Sequence, residues 1–335
     1  MLSMYNLSEI TVSKAPLVTE LNDLLKDKNT VALVDENVAK IYAGLFKDVW
    51  NKIILIRAGE GAKSLVYTEI VIQQLLELNI DRSSNLIAVG GGVTCDLTGF
   101  IASTIFRGIN FSFIPTTLLA QVDAAIGGKN GVNFNGYKNV IGTLQHPDLI
   151  HININFLNTL SDIEFTSGMA EVIKHACIHS FGYFEFLKRN AAEIKEKNPE
   201  ILLEMVRQSV EIKAQIVAKD PKEIGGRKIL NYGHTYGHAI ETHLNIPHGF
   251  AVSMGIIVAN ELAEKQTALS EKEQLEIKNL LRQFGLPTDL SSLEFNALKN
   301  KISKDKKRIQ SKIDFILLEE IGSPKIKAID LCDLP

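Results

Sequence analysis

No stretch of these 335 residues stays apolar for the roughly 20 positions that a membrane-spanning helix needs. The opening MLSMYNLSEI lacks the basic segment and apolar run of a secretory leader, so the expectation is a cytoplasmic protein with no membrane partner. Cysteine is scarce: Cys95, Cys177 and Cys332 are odd in number and far apart, against a disulfide framework and against a cysteine zinc site. Charge of one sign is also missing. The 36 basic and 39 acidic residues leave a net of −3, which gives no case for a nucleic-acid partner and confines any useful basic cluster to a local one. Internal repeats, low-complexity tracts and flexible linkers are absent too.

What is present is apolar residue in quantity, 45% of the chain, enough for two cores or one large one. In the first half TVALVDEN, NKIILIRAGEGAK, NLIAVGGGV and FSFIPTT read as buried strands. Between them NVAKIYAGLF and SLVYTEIVIQQLLELNI have helical spacing. Strands alternating with helices imply a parallel sheet with helices on its faces. From about Ser161 the periodicity is helical almost throughout, in GMAEVIKHACI, PEILLEMVRQSVEIKAQIVAK, GHTYGHAIETHL and AVSMGIIVANELAEKQ. The exception is KKRIQSKIDFILLEEIG, which reads as a short hairpin. The change of character places a boundary near residues 153 to 161.

The chemistry of the first half gathers at the ends of its strands. VGGGVTCDLTGFIAS follows a strand and opens a helix; its glycines let a backbone approach an anion, and the helix start offers free N–H groups. A dinucleotide pyrophosphate fits, although the spacing is not G-x-G-x-x-G and tight strand-to-helix packing would explain the cluster if it stood alone. Asp35 and Asn37 end one strand, where a ribose hydroxyl is commonly held, and Glu60, Lys63, Thr116 and Thr117 follow others. The Gly- and Asn-rich run from Gln121 to Pro147 is poor core material and reads as a solvated loop, yet its lysines stand among glycines and could hold phosphate.

Four of the eight histidines lie in NYGHTYGHAIETHLNIPHGF: His234, His238, His243 and His248. His234 and His238 share a helix face. They are not an H-E-x-x-H site, because Thr235 stands where that motif places its base. Glu171, His175 and His179 could share another face, with half-buried or surface histidines as the plain alternative. His243 reads as an exposed helix residue, and His146 and His151 have no evident role.

The motifs GGGVTCDLTGFIASTIFRGI, IPTTLLAQVDAAIGGKNGVN, GYKNVIGT, SGMAEVIKHA and NYGHTYGHAIE, followed by PHG, resemble the 3-dehydroquinate synthases, in that family's order, over residues 35 to about 250. The resemblance implies an α/β, Rossmann-like NAD-binding domain over residues 1–155 and an all-α domain over residues 156–335 that holds metal and substrate. It implies a homodimer, NAD+ and one divalent metal, zinc first and cobalt second. Asp35, Asn37, Glu60, Lys63, Gly91, Gly92, Asp96, Thr116, Thr117, Lys129 and Lys138 match NAD-contacting positions. Glu171, His234 and His248 match the metal ligands. Lys129, Asn139, Lys174 and a lysine of KDKK, Lys306 in preference to Lys307, match positions that hold the substrate phosphate. Lys213 and Arg227 match positions near its carboxylate, and Asp123, Asn231 and His238 match positions that meet its hydroxyls. Arg107 matches an arginine that reaches the neighbouring subunit's site. Two positions depart from the pattern: Cys95 where glycine is common, and Phe250 where a glutamate is usual.

The substrate so implied is a sugar phosphate, 3-deoxy-D-arabino-heptulosonate 7-phosphate, converted to 3-dehydroquinate and phosphate in the shikimate pathway. Three protein ligands leave metal positions open for substrate oxygens. Hydride passes to NAD+ and back, phosphate leaves between the two transfers, and an aldol step closes the ring. Lysines suit the phosphate as point charges, and a planar arginine fork suits the carboxylate. Alternatives are a cyclase for glucose 6-phosphate or sedoheptulose 7-phosphate, a metal-dependent polyol or alcohol dehydrogenase, and a degenerate regulatory protein that binds NAD or metal.

Overall fold

The computed structural model describes residues 8–25, 27, 29–305 and 312–335. Its contacts divide the chain into two units, Met1–Leu160 with Leu202–Val210, and Ser161–Ile201 with Glu211–Pro335.

The first unit runs β1 (Glu9–Ser13), α1 (Leu17–Leu25), β2 (Thr30–Asp35), α2 (Glu36–Ile41), β3 (Ile53–Ile56), α3 (Leu65–Glu77), β4 (Asn85–Gly90), α4 (Gly92–Thr104), β5 (Asn110–Pro115), β6 (Lys129–Phe134), β7 (Tyr137–Leu144) and β8 (Leu149–Asn153). Six strands make one sheet in the order β1-β8-β5-β4-β2-β3, parallel at every pairing. Helices cover such a sheet on both faces, so β2 and β4 are apolar runs rather than alternating ones, with Leu33, Val34, Leu86 and Val89 fully buried. Each such side chain contributes about 1.5–3 kcal/mol. Leu21, Leu25, Phe46 and Phe156 close the core over β2 and β4.

Register brings the strands' carboxyl ends to one edge: Asp35 lies beside Ile56, Val34 beside Val89, and Gly90 beside Pro115. The order of strands reverses between β2 and β4, since β3 lies outside β2 and β5 outside β4. Ligands of open parallel sheets bind in the crevice at such a reversal. Asp35 ends one of the two strands that flank it and Gly90 ends the other.

Two expectations change here. Helical spacing continues past Ile41 in the sequence, but α2 stops and Ala43–Lys52 is a tighter 3-10 segment. The run from Gln121 to Pro147 is not a plain loop. It holds one wide π turn, Ala120–Ala124, and then the antiparallel pair β6–β7. At the sheet edge, Glu20 accepts hydrogen bonds from Ser13 Oγ (2.6 Å) and Asn153 Nδ2 (2.5 Å) and pairs with His151 Nε2 at 2.9 Å. These bonds tie α1 to β1 and β8.

The second unit is helical: α5 (Asp162–His179), α6 (Phe181–Arg189), α7 (Ala191–Lys195), both ends of α8 (Pro199–Lys219), whose middle, Leu202–Val210, groups with the first unit, then α9 (His234–Leu244), α10 (His248–Gln266), α11 (Glu271–Gln283), α12 (Phe295–Asp305), β9 (Lys312–Glu320) and β10 (Ser323–Asp330). The Ser161 hydroxyl caps α5, accepting from the Glu164 amide, and Asn198 caps α8 ahead of Pro199. The IDFILLEE part of the expected hairpin is a strand that pairs with the residues after it, SPKIKAID, while residues 306–311, the first part of that expected hairpin, lie outside the described residues. Among the described residues no helix is long and apolar enough to cross a membrane.

Candidate active site

Glu171 stands in the middle of α5 and is fully buried. Such a carboxylate needs cations around it. Lys174, one turn on and also buried, forms an ion pair with its Oε2. His234 and His248 face its Oε1, each with Nε2 at 3.4 Å. Each histidine is the first residue of a helix, α9 and α10. One donor atom from each of Glu171, His234 and His248 lies within 4.8 Å of the others.

The spacing can be tested against a metal. Zinc bonds of about 2.0–2.2 Å in a tetrahedral array place neighbouring ligand atoms about 3.3–3.5 Å apart. A direct N–H···O hydrogen bond would close to about 2.7–3.2 Å. The two distances of 3.4 Å match the former. The other ring nitrogens are occupied: His234 Nδ1 donates to the Tyr232 carbonyl (3.1 Å) and His248 Nδ1 to Glu241 Oε2 (3.0 Å). Both rings therefore direct an Nε2 lone pair at the carboxylate's side. One carboxylate and two imidazoles form a donor set that fits zinc or a similar divalent ion.

Electrostatics follow from the crowding. Burial alone would raise Glu171, but Lys174 and then His234 hold its carboxyl well below the usual range. Burial would lower His248; the carboxylates of Glu171 and Glu241 on either side of the ring outweigh it and carry the imidazole up to about 9. His238, one turn along α9, has its ring centroid 5.3 Å from that of His234 and 6.0 Å from that of His248. Packed surroundings and then those two imidazoles hold it below its ordinary value, although its edge is open to solvent.

Gly249 explains the HG pair. A Cβ there would lie 1.9 Å from the Ser167 carbonyl oxygen, so only glycine lets the start of α10 approach α5 this closely. The Gly249 amide donates to Ser167 Oγ at 3.0 Å, which fixes the approach.

The remaining cations expected in this unit are buried. Lys213 and Arg227 are 5% and 3% exposed, so neither lies on a solvated helix face. Arg227 donates from Nη1 to the Pro221 carbonyl, and Asn231 donates from Nδ2 to Glu223 Oε1. Among the other histidines, His175 is fully buried rather than half-buried, His179 is exposed, and His243 is half-buried rather than exposed. Lys306 and its alternative Lys307 lie outside the described residues.

In the first unit, Asp35 Oδ1 caps α2 by accepting from the Asn37 and Val38 amides. Burial raises its carboxyl despite those bonds. Gly91 precedes α4 with no side-chain cap, which leaves the helix's first amides available. A Cβ on Gly91 would be 3.1 Å from Thr117, and one on Gly92 would be 3.2 Å from Ala124, so the glycines also admit close packing. Lys63 is 4% exposed and donates to Asp96 Oδ2 and Asn139 Oδ1, both at 2.5 Å. Asn139 and Asp96 thus share one ammonium. Glu60 accepts from Asn133 Nδ2 at 2.8 Å. Thr116 is buried, its amide bonded to the Gly90 carbonyl, while Thr117 is half-buried. Asp123 sits in the π turn, a backbone form frequent at functional sites. Lys129 and Lys138 are exposed on the β6–β7 pair. Arg107 is exposed in a turn where Phe106, Arg107 and Gly108 all have positive φ. Cys95 is fully buried, and burial pushes its thiol far up.

The family model for the 3-dehydroquinate synthase N-terminal region matches residues 53–167, and that for the C-terminal region matches residues 168–308. The chain belongs to the 3-dehydroquinate synthase family. A 3-dehydroquinate synthase of Campylobacter fetus subsp. fetus is 43% identical, covering 95% of this chain and 93% of its own. Among solved structures, the 2-epi-5-epi-valiolone synthase of Streptomyces hygroscopicus subsp. jinggangensis, with NAD+ and Zn2+ bound, superposes with a TM-score of 0.88. It is 24% identical and covers 98% of this chain and 94% of its own. A 2-deoxy-scyllo-inosose synthase complexed with carbaglucose-6-phosphate, NAD+ and Co2+ gives 0.81, at 21% identity over 96% and 94%. At those identities the two structures establish the fold.

Glu241 ends the motif NYGHTYGHAIE, but its spacing alone gives it no role. Glu241 lies seven positions after His234, and His234, His238 and Glu241 recur at the spacing of one helix face. That stripe is visible in the sequence. Its meeting with His248, on the next helix, is not.

Proposed function

We propose that this chain is a 3-dehydroquinate synthase, a phosphorus–oxygen lyase that turns 3-deoxy-D-arabino-heptulosonate 7-phosphate into 3-dehydroquinate and phosphate. The observation that carries the reading is the convergence of Glu171, His234 and His248 within 4.8 Å in a member of this family. Bound NAD+ supplies a reversible hydride acceptor, and a bound divalent ion, zinc first and cobalt second, supplies a Lewis acid.

The residues then divide the work. Residues 1–155 hold NAD+: Asp35 and Asn37 at the end of β2, Glu60 and Lys63 after β3, Gly91, Gly92 and Asp96 at the start of α4, Thr116 and Thr117 after β5, and Lys129 and Lys138 on the β6–β7 pair. Residues 156–335 hold the metal and most of the substrate. Lys174, with Lys129, Asn139 and Lys306, takes the phosphate. Lys213 and Arg227 take the carboxylate, and Asp123, Asn231 and His238 take the hydroxyls. Buried cations favour this assignment, because an ammonium or guanidinium held away from water binds an anion more strongly than a solvated one. Asn231 and Arg227 are held by neighbours, so they orient substrate with little reorganisation. The protein acts in the cytoplasm as a homodimer, with Arg107 presented to the partner subunit. The strained turn at Phe106–Gly108 supports a role for that arginine, since such backbone costs about 1–3 kcal/mol and persists where structure requires it.

The test is phosphate release from three substrates, the heptulosonate phosphate, glucose 6-phosphate and sedoheptulose 7-phosphate, with NAD+ and with or without a chelator. Release from the heptulosonate phosphate alone, abolished by chelator, is expected. Release from either of the other two in preference would assign a different cyclase, and net NADH without phosphate would assign a dehydrogenase.

A further inference from the structure

Glu241 is the one carboxylate of α9, and its side chain is only 16% exposed. It points along the stripe that begins at His234 and meets His248 Nδ1 at 3.0 Å. The same ring turns Nε2 to Glu171. A chance surface ion pair would leave that second nitrogen in water, and solvent would screen the pair. Here one face of the imidazole is spoken for by Glu241 and the other by the metal cluster.

We propose that Glu241 is the positioning residue of the metal centre, holding His248 in the tautomer and orientation that make it a ligand. The inference rests on Glu171, His234 and His248 binding a divalent cation. An N–H donated to a carboxylate keeps the proton on Nδ1, leaves the Nε2 lone pair for the metal and raises the basicity of the ring. The two histidines are oriented differently. His234 is fixed by the main-chain carbonyl of Tyr232, which no substitution of a side chain removes. His248 is fixed by a side chain.

The experiment measures Zn2+ and Co2+ affinity of the full chain by competition with a chelating dye, for wild type, E241Q, E241A, H248A and the E241A/H248A pair. Loss of such a partner typically weakens a metal site by about 10–100-fold. That loss is expected for E241A, with a smaller one for E241Q, whose amide oxygen still accepts from Nδ1. Bound Co2+ should show a changed visible spectrum in both. In the H248A background, E241A should cost less than about twofold, because the residue acts only through His248. A merely structural residue would instead lower the melting temperature of the metal-free protein and add its loss to that of H248A, which would overturn the proposal. So would E241A that folds and binds either ion within about twofold of wild type. If E241A does not fold, the near-isosteric E241Q decides, and unchanged affinity and spectrum in it count against the proposal. A wild-type chain that takes up neither ion overturns the metal reading itself, a result distinct from wild type and E241A binding alike.

Discussion

The two units present their candidate sites in opposite ways. In the helical unit the functional atoms are side chains, buried and already paired: Glu171 with Lys174, His248 with Glu241, Arg227 with a carbonyl. In the sheet unit they are mostly strand ends, glycines and uncapped amides, with Lys129 and Lys138 exposed on a hairpin and Lys63 buried and paired. A small divalent cation needs ligand atoms fixed to within tenths of an ångström, which buried side chains supply. A long dinucleotide needs an open edge and a backbone it can approach. Changes at the metal-ligand positions of the helical unit should therefore damage fold and metal together, while changes at the cofactor positions of the sheet unit should damage cofactor binding foremost.

The largest expected effect is at Glu171. Glu171→Ala strips the buried Lys174 of its carboxylate, and breaking a buried pair costs about 3–5 kcal/mol. Calorimetry should show a large drop in melting temperature, and metal analysis no stoichiometric ion. An unchanged melting temperature would break the contrast between the units. Next, chelator treatment of the wild type should remove about 2.7 kcal/mol of stability if the ion was present at a hundred times its Kd. Gly249→Ala should cost about 1–3 kcal/mol, because its Cβ would collide with the Ser167 carbonyl, and should weaken metal binding through His248. Lys63→Met should weaken NAD+ binding, read by fluorescence titration, by about 1.5–3 kcal/mol while leaving metal affinity unchanged. Loss of metal in that variant would blur the comparison.

The smallest effect is a pH dependence in the sheet unit. Burial would raise Glu20, but hydrogen bonds from Ser13 and Asn153, with His151 beside them, carry it below its ordinary value of 4.5. Its stabilisation is present above the unfolded value and is lost as pH falls through the lower, folded one. Glu20→Gln should therefore flatten the acid limb of stability against pH, by under about 1 kcal/mol since the group is partly solvated.

The parallel sheet was legible because strands buried on both faces must be apolar throughout, and β2 and β4 are. The β6–β7 pair was not. β7 is exposed along most of its length, so no apolar face marks it, and its glycines and asparagines read as loop. At the C-terminal end the partner of IDFILLEE, SPKIKAID, was not foreseen, because nothing local says which side of that strand supplies a partner. At the candidate metal site, spacing alone offered a face of Glu171, His175 and His179, all on α5, beside the pair His234 and His238. The structure pairs Glu171 with histidines that start two other helices, a meeting that only tertiary packing creates. The family resemblance gave those histidines a role; Glu241 ends the same motif, NYGHTYGHAIE, without one.

The central claim is tested most directly by following phosphate and NADH together while the metal-loaded protein, supplied with NAD+, turns over 3-deoxy-D-arabino-heptulosonate 7-phosphate. The account predicts phosphate equal to the 3-dehydroquinate formed and no net NADH, because the hydride is returned. NADH accumulating with turnover, or no phosphate from a protein shown to hold its metal, would contradict it.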